Sequence, residues 1–138
     1  MRAALALLLC AGAALADTPQ DGPPPEPMSA GAFAAYTAGR TITYAEEGGA
    51  SYGREAYGPG RSVLWSADGQ TCTAGRWYPD GSRICFVYEE ETTPQCWLFF
   101  KTPNGLRALY QNRPGLSPLI EVPGPDAPLT CAGPAPSV

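Results

Sequence analysis

The centre of the chain, residues 71–101, reads TCTAGRWYPDGSRICFVYEEETTPQCWLFFK. Two turn signals, Pro79–Ser82 and Glu90–Pro94, divide it into three runs that are rich in aromatic and β-branched residues. Runs of this kind between turn residues are typical of antiparallel strands joined as hairpins. The segment therefore predicts a three-stranded meander at the heart of the fold.

Similar turn signals recur on both sides of this segment, at intervals of about 10 to 12 residues. Consecutive hairpins need no long crossover, so the sequence predicts a mainly β protein whose seven to eight antiparallel strands form a small up-and-down barrel rather than a sandwich. Before the strands, Ser29 is expected to cap a short helix over Ala30–Ala38 that Gly39 ends. The predicted strands are Thr41–Ala45, Ser51–Tyr57, Arg61–Ser66, Thr71–Tyr78, Arg83–Tyr88, Gln95–Lys101, Leu106–Gln111 and a weaker Leu119–Val122.

The ends of the chain differ from its centre. Residues 1–16 combine Arg2, an apolar run too short to span a membrane, and a small-x-small site, a pattern typical of a signal peptide cleaved after Ala16. We expect residues 17–27 to form a Pro-rich linker and residues 28–123 to form the β-barrel domain. Residues 124–138 are expected to form a Pro-rich tail that a disulfide ties back to the barrel. We expect a periplasmic or secreted protein that does not insert into the membrane after cleavage.

Composition excludes several functions. The 138 residues include no His, which removes Ser-His-Asp and Cys-His arrangements and almost all transition-metal sites. Without Arg2 the chain has eight basic against 13 acidic residues, a net charge of −5, so binding to nucleic acid is not expected. No metal, cofactor or catalytic residue is predicted, and we expect a protein that is not an enzyme.

The cysteines predict two disulfides. Once Cys10 leaves with the signal peptide, Cys72, Cys85, Cys96 and Cys131 remain, an even number for an oxidising compartment. Placing Cys85 opposite Cys96 on neighbouring strands makes them the best pair, which leaves Cys72 for Cys131. Zinc is not expected, because the spacings contain no Cys-x2-Cys pair.

Register arithmetic predicts which face of the sheet is the interior. If Tyr78 pairs with Arg83 across the Pro79–Ser82 turn, Trp77 lies opposite Ile84. The resulting face is so rich in aromatic side chains that we expect them to fill the barrel. The inward residues are Trp77, Ile84, Phe86, Tyr88, Trp97 and Phe99.

The opposite face carries the cysteines together with three large apolar residues, Val87, Leu98 and Phe100. These three form a candidate partner-binding patch, because an outward face does not require large apolar side chains. The alternative is that the patch is covered by the C-terminal tail or by the helix, which offers Phe33 and Tyr36 on one side.

Other candidate residues have ordinary interpretations. Glu46-Glu47 and Glu89–Glu91 lie at hairpin turns, where we expect solvated charges rather than catalytic carboxylates. Three arginines fall inside strands; we expect them on the outer face, paired with Glu55 or Glu89, the alternative being an anion site at the barrel mouth. They are Arg54, Arg61 and Arg76. Trp65, Trp77 and Trp97 are expected in the core.

The most specific pattern is the series Gly75-x-Trp77, Cys85-Phe86-x-Tyr88 and Cys96-Trp97. It resembles a family of short exported bacterial proteins of unknown function, over roughly Met28 to Cys131. The resemblance implies periplasmic residence and a small, lipocalin-like β-barrel, and it implies no catalytic residue.

Two hypotheses for function follow. The first is a small exported binding or interaction protein that uses its loops or the Val87–Phe100 face on an envelope protein. The second is a lipocalin-like carrier that holds a small apolar ligand in the barrel. The two differ in whether the interior is filled by side chains or hollow.

Overall fold

A computed structural model describes residues 23–132. Within this range one short helix precedes eight antiparallel strands, and the last strand pairs with the first to close a barrel in sequence order. The prediction of a mainly β, up-and-down barrel is confirmed. The predicted signal peptide and most of the predicted linker lie outside the described residues. The elements are α1 Ala30–Thr37, β1 Thr41–Glu46, β2 Ser51–Tyr57, β3 Ser62–Ser66, β4 Thr73–Asp80, β5 Arg83–Tyr88, β6 Gln95–Thr102, β7 Gly105–Tyr110 and β8 Leu119–Val122.

The register between β4 and β5 differs from the prediction. Asp80 pairs with Arg83, so the turn contains two residues, Gly81 and Ser82, rather than four, and Trp77 lies opposite Phe86 instead of Ile84. Two-residue turns suit the twist of a hairpin, and Gly81 supplies the positive φ of 59° that such a turn requires. Because the shift is two residues, the side chains predicted to face inward still do so. The predicted pairing of Cys85 with Cys96 is confirmed.

The helix closes one end of the barrel. Ser29 caps it as predicted, with the Ala32 amide donating to the Ser29 hydroxyl oxygen over 3.1 Å. Phe33 is fully buried, and its ring centroid lies 5.1 Å from that of Trp77 and 4.5 Å from that of Phe99. The alternative in which the Phe33 side of the helix covers the outer apolar patch is therefore wrong. Phe33 packs inside instead, because the barrel end offers it an aromatic interior that buries more apolar surface.

A polar cluster fastens this helix to the barrel. The Glu121 carboxylate on β8 accepts hydrogen bonds from the Tyr36 hydroxyl at 2.7 Å and from the Arg40 guanidinium at 2.8 Å. It also accepts one from the Leu106 amide at 2.9 Å. Charge-assisted bonds of this kind are stronger than neutral ones. The helix end of the barrel is thus held by both packing and charge.

Two disulfides join Cys72 to Cys131 and Cys85 to Cys96, as the register predicted. Both cysteines of the second bridge lie at outward positions and yet are buried. The segment before Cys131 runs over the outside of the barrel, where Arg54 donates hydrogen bonds to two of its carbonyl oxygens at 2.8 and 3.0 Å. The tail up to residue 132 is therefore tied to the barrel.

Candidate functional site

The barrel contains a cavity of about 250 Å³ near the end opposite the helix. The expectation of an interior filled throughout by side chains is therefore wrong: packing is tight around Phe33, whereas the opposite end of the barrel contains this cavity. The cavity is mainly aromatic. Its rings belong to Tyr44, Tyr52, Tyr57, Trp65, Phe86, Tyr88, Trp97 and Phe99.

A buried carboxylate, Glu55 on β2, lies in the wall of this cavity and is 3 % exposed. The Tyr88 hydroxyl on β5 donates a hydrogen bond to its Oε2 atom over 3.0 Å. Among residues 23–132, its Oε1 atom has no hydrogen-bond partner. Burial raises the pKa of Glu55 to about 8, and the bond from Tyr88 opposes part of that rise. The cavity therefore contains a carboxyl group that exchanges its proton near neutral pH.

Two glycines make room for the aromatic wall. A Cβ atom on Gly75 would lie 2.6 Å from Cδ1 of Tyr88, and one on Gly53 would lie 2.4 Å from Cη2 of Trp65. Both rings thus lie directly against the backbone of a neighbouring strand. Gly75 is paired with Tyr88 in the β4–β5 register, so the glycine lets the ring lie flat while its hydroxyl reaches Glu55.

A second buried polar pair lies in the cavity wall. The hydroxyls of Tyr44 on β1 and Tyr57 on β2 are 2.9 Å apart and hydrogen-bonded. Burial raises the pKa of both hydroxyls, so both remain protonated across the physiological range. They present fixed donors and acceptors rather than charge.

Charge in the cavity is of one sign. Glu90 and Glu91, from the loop after β5, line it together with Glu55. Within the described part of the chain, no Lys or Arg lines it. The prediction that Glu90 and Glu91 are solvent-exposed holds, and the structure adds that they line the cavity.

The three arginines predicted inside strands lie elsewhere, and Arg61 is not in a strand, because it ends a 3-10 turn, Pro59–Arg61, just before β3. Arg54 binds the C-terminal segment, Arg76 donates to the Gly60 carbonyl oxygen at 3.0 Å, and the Arg61 guanidinium lies 4.9 Å from the ring centroid of Trp77. None of the three lines the cavity described above. The expected pairing of an arginine with Glu55 on the outer face is wrong, because Glu55 faces inward.

The predicted partner patch lies on the outer face. Val87, Leu98 and Phe100 are each half-buried. Leu98 pairs with Leu109 and Phe100 with Arg107, so neighbouring strands shield part of each side chain. Protein binding by this patch stays a prediction.

Glu55 was not identified from the sequence as a buried residue of the cavity wall. The signal was the alternation in β2, where Gly53, Glu55 and Tyr57 fall on one face and all three are buried. Of the three tryptophans expected in the core, Trp77 is buried there, whereas Trp65 and Trp97 line the cavity.

The arrangement can bind and orient a small molecule through aromatic rings and a single deep carboxyl group. Within residues 23–132, no helix is long and apolar enough to span a membrane, and no cluster of acidic or cysteine side chains could hold a metal ion. Comparison with known proteins finds no matching family, curated protein or solved structure.

Proposed function

We propose that this chain is an exported, lipocalin-like protein that binds one small molecule in the barrel cavity. The observation that supports the proposal is the aromatic cavity of about 250 Å³ with Glu55 in its wall. Barrels of about eight strands are wide enough to hold one small ligand. The helix closes one end of the barrel and the cavity lies near the other, so such a ligand enters from the end opposite the helix.

Export belongs to the same proposal. Two disulfides fit an oxidising, exported compartment. We propose that the signal peptide is cleaved after Ala16 and that the mature chain resides in the periplasm or is secreted.

We propose binding without catalysis. The hydroxyls beside Glu55 belong to tyrosines whose pKa values burial raises further, so these hydroxyls are poor nucleophiles and bases at neutral pH. Their geometry suits them to hydrogen bonding with a bound molecule.

Native mass spectrometry of the protein purified from the envelope of its own host tests the proposal. We expect a retained small molecule, which Thr73→Trp at the cavity wall displaces. Ser82→Trp is the matched control, since Ser82 lies exposed in the β4–β5 turn at the helix end. Unliganded wild-type protein, or equal retention in both variants, would contradict a cavity-bound ligand.

A further inference from the structure

The cavity combines an aromatic lining with a carboxylate that is hydrogen-bonded at one oxygen only. Oε2 of Glu55 accepts from Tyr88, whereas Oε1 is buried and, among the residues from 23 to 132, finds no donor. A buried acceptor without a donor is unfavourable, and the penalty grows when the group is charged. When the carboxyl group is ionised, Oε1 therefore lacks one N–H or O–H donor, and a ligand that displaces the packing around this buried atom can supply it.

The electrostatics of the same cavity select the charge of that ligand. Three carboxyl groups line it, those of Glu55, Glu90 and Glu91, and the described residues place no cationic side chain in its wall. Eight aromatic rings complete most of the lining. Aromatic faces attract cations, and carboxylates concentrated in a cleft repel anions.

We propose that the ligand of this cavity is a small protonated primary or secondary amine whose N–H group donates to Glu55 Oε1. The carbon skeleton of the amine packs against the rings of Trp65 and Trp97. This inference rests on the proposed function and names its ligand class. A quaternary ammonium brings charge without an N–H donor, and a neutral alcohol brings a donor without charge, so each fits less well.

Binding of such an amine is coupled to a proton. The unliganded carboxyl group holds its proton at neutral pH, because burial raises the pKa of Glu55 to about 8. An ammonium group beside it favours the carboxylate, so about one proton is released to solvent for each amine bound near pH 7. Affinity should therefore rise with pH up to about 8, and fall again where the amine itself loses its proton, near pH 10.

The neighbouring titratable groups leave this coupling intact. Burial raises the pKa of each tyrosine that lines the cavity, so these hydroxyls keep their protons throughout the window. The carboxylates of the neighbouring loop are exposed and act through their negative charge. The titratable groups facing or flanking Glu55 are Tyr44, Tyr52, Tyr57, Tyr88, Glu90 and Glu91.

Isothermal titration calorimetry with 2-phenylethylamine and its neutral counterpart 2-phenylethanol tests the inference on the full mature protein. We expect the amine to bind at least about tenfold more tightly at pH 8, which corresponds to about 1.4 kcal/mol. Titrations in buffers of different ionisation enthalpy should show about one proton released per amine near pH 7 and none per alcohol.

Glu55→Gln should abolish both the preference for the amine over the alcohol and the proton release. Glu89→Gln is the matched control, because Glu89 is exposed and does not line the cavity, and it should behave as wild type. If Glu55→Gln does not fold, Tyr88→Phe replaces it. That variant removes the bond that lowers the pKa of Glu55, so the rise of amine affinity should move to higher pH.

Equal affinities of the wild type for the two probes would overturn the amine inference and leave the proposed function standing. A persistent amine preference in Glu55→Gln would also overturn it, by removing the carboxylate as the cause. The inference would also be overturned if the wild type bound neither probe. In that case the proposed function is still tested independently, by whether native mass spectrometry detects a retained small molecule.

Discussion

The hydroxyl of Tyr88 on β5 and the carboxylate of Glu55 on β2 meet inside the barrel at 3.0 Å, although 33 residues separate them in sequence. Neither strand pairs with the other. The bond favours the charged form of Glu55, whereas burial favours the neutral form more strongly. The protonation of one buried carboxyl group therefore depends on the distance between two walls of the barrel.

Stability should fall as pH rises through the titration of Glu55. The folded pKa of about 8 lies above the ordinary value of 4.5, so between these values the folded state binds more protons than the unfolded state. The free energy of unfolding then decreases with increasing pH across this window. Urea unfolding of the unliganded protein at several pH values measures it. Glu55→Gln should flatten this slope and be more stable than wild type at about pH 9, whereas an unchanged slope would contradict a buried, ionisable Glu55.

Gly75→Ala should destabilise the barrel. The added Cβ would lie 2.6 Å from the Tyr88 ring, so the ring or the strand must move, and we expect a loss of about 1–3 kcal/mol. Gly31→Ala is the matched control, because nothing lies within 4 Å of its Cβ and alanine favours a helix. It should be neutral or stabilising by up to about 1 kcal/mol. Equal effects in thermal unfolding would contradict the close packing of Tyr88.

The barrel was predictable because its signals are local. Turn residues and alternation within each strand predicted Ser51–Tyr57, Arg83–Tyr88 and Leu119–Val122 with their observed bounds. The Cys85–Cys96 pair fixed the β5–β6 register. The β4–β5 register was missed by two residues, since Pro79 was taken as part of the turn although it lies in the strand.

The site was not predictable, because it depends on contacts between strands that are distant in sequence. Glu55 lies in phase with Tyr57 in β2, yet only closure of the barrel brings Tyr88 beside it. The burial of Phe33 inside the barrel was not predictable either, because the Ala-rich helix has almost no amphipathic character to indicate which surface it covers. Whether a helix caps the end of a barrel or covers its side is decided by tertiary packing.

Phe33→Ala should destabilise the protein by about 3–5 kcal/mol, as expected when a fully buried aromatic ring is removed. Tyr36→Phe on the same helix is the control, since it removes the hydroxyl bond to Glu121 and keeps the ring, at a cost of about 1 kcal/mol. Deletion of residues 17–39 should therefore open the helix end of the barrel. Chemical denaturation measures the free energy of unfolding of each variant. A small effect of Phe33→Ala would contradict the finding that the helix closes the end of the barrel through this side chain.

Phe100→Asp and Phe99→Asp should differ sharply although the residues are neighbours. Phe100 is half-buried on the outer face, so its replacement should leave a folded monomer with a loss of about 1 kcal/mol. Phe99 is buried inside, and a carboxylate there should prevent folding. Circular dichroism and size-exclusion chromatography distinguish the two outcomes. If the patch of Val87, Leu98 and Phe100 binds an envelope protein, Phe100→Asp should also abolish recovery of that partner.

The two disulfides should differ in their reactivity. Cys85 and Cys96 are buried, whereas Cys72 and Cys131 are half-buried, so a mild reductant should open the Cys72–Cys131 bridge first. Alkylation and peptide mapping should find no free thiol in the mature protein before reduction, and then labels on Cys72 and Cys131 alone. Because this bridge spans a sequence separation of 59 residues, its loss should cost roughly 4 kcal/mol by the loop-closure model. Earlier labelling of Cys85, or a peptide that links Cys72 to Cys85, would contradict both the burial and the register of the central hairpin.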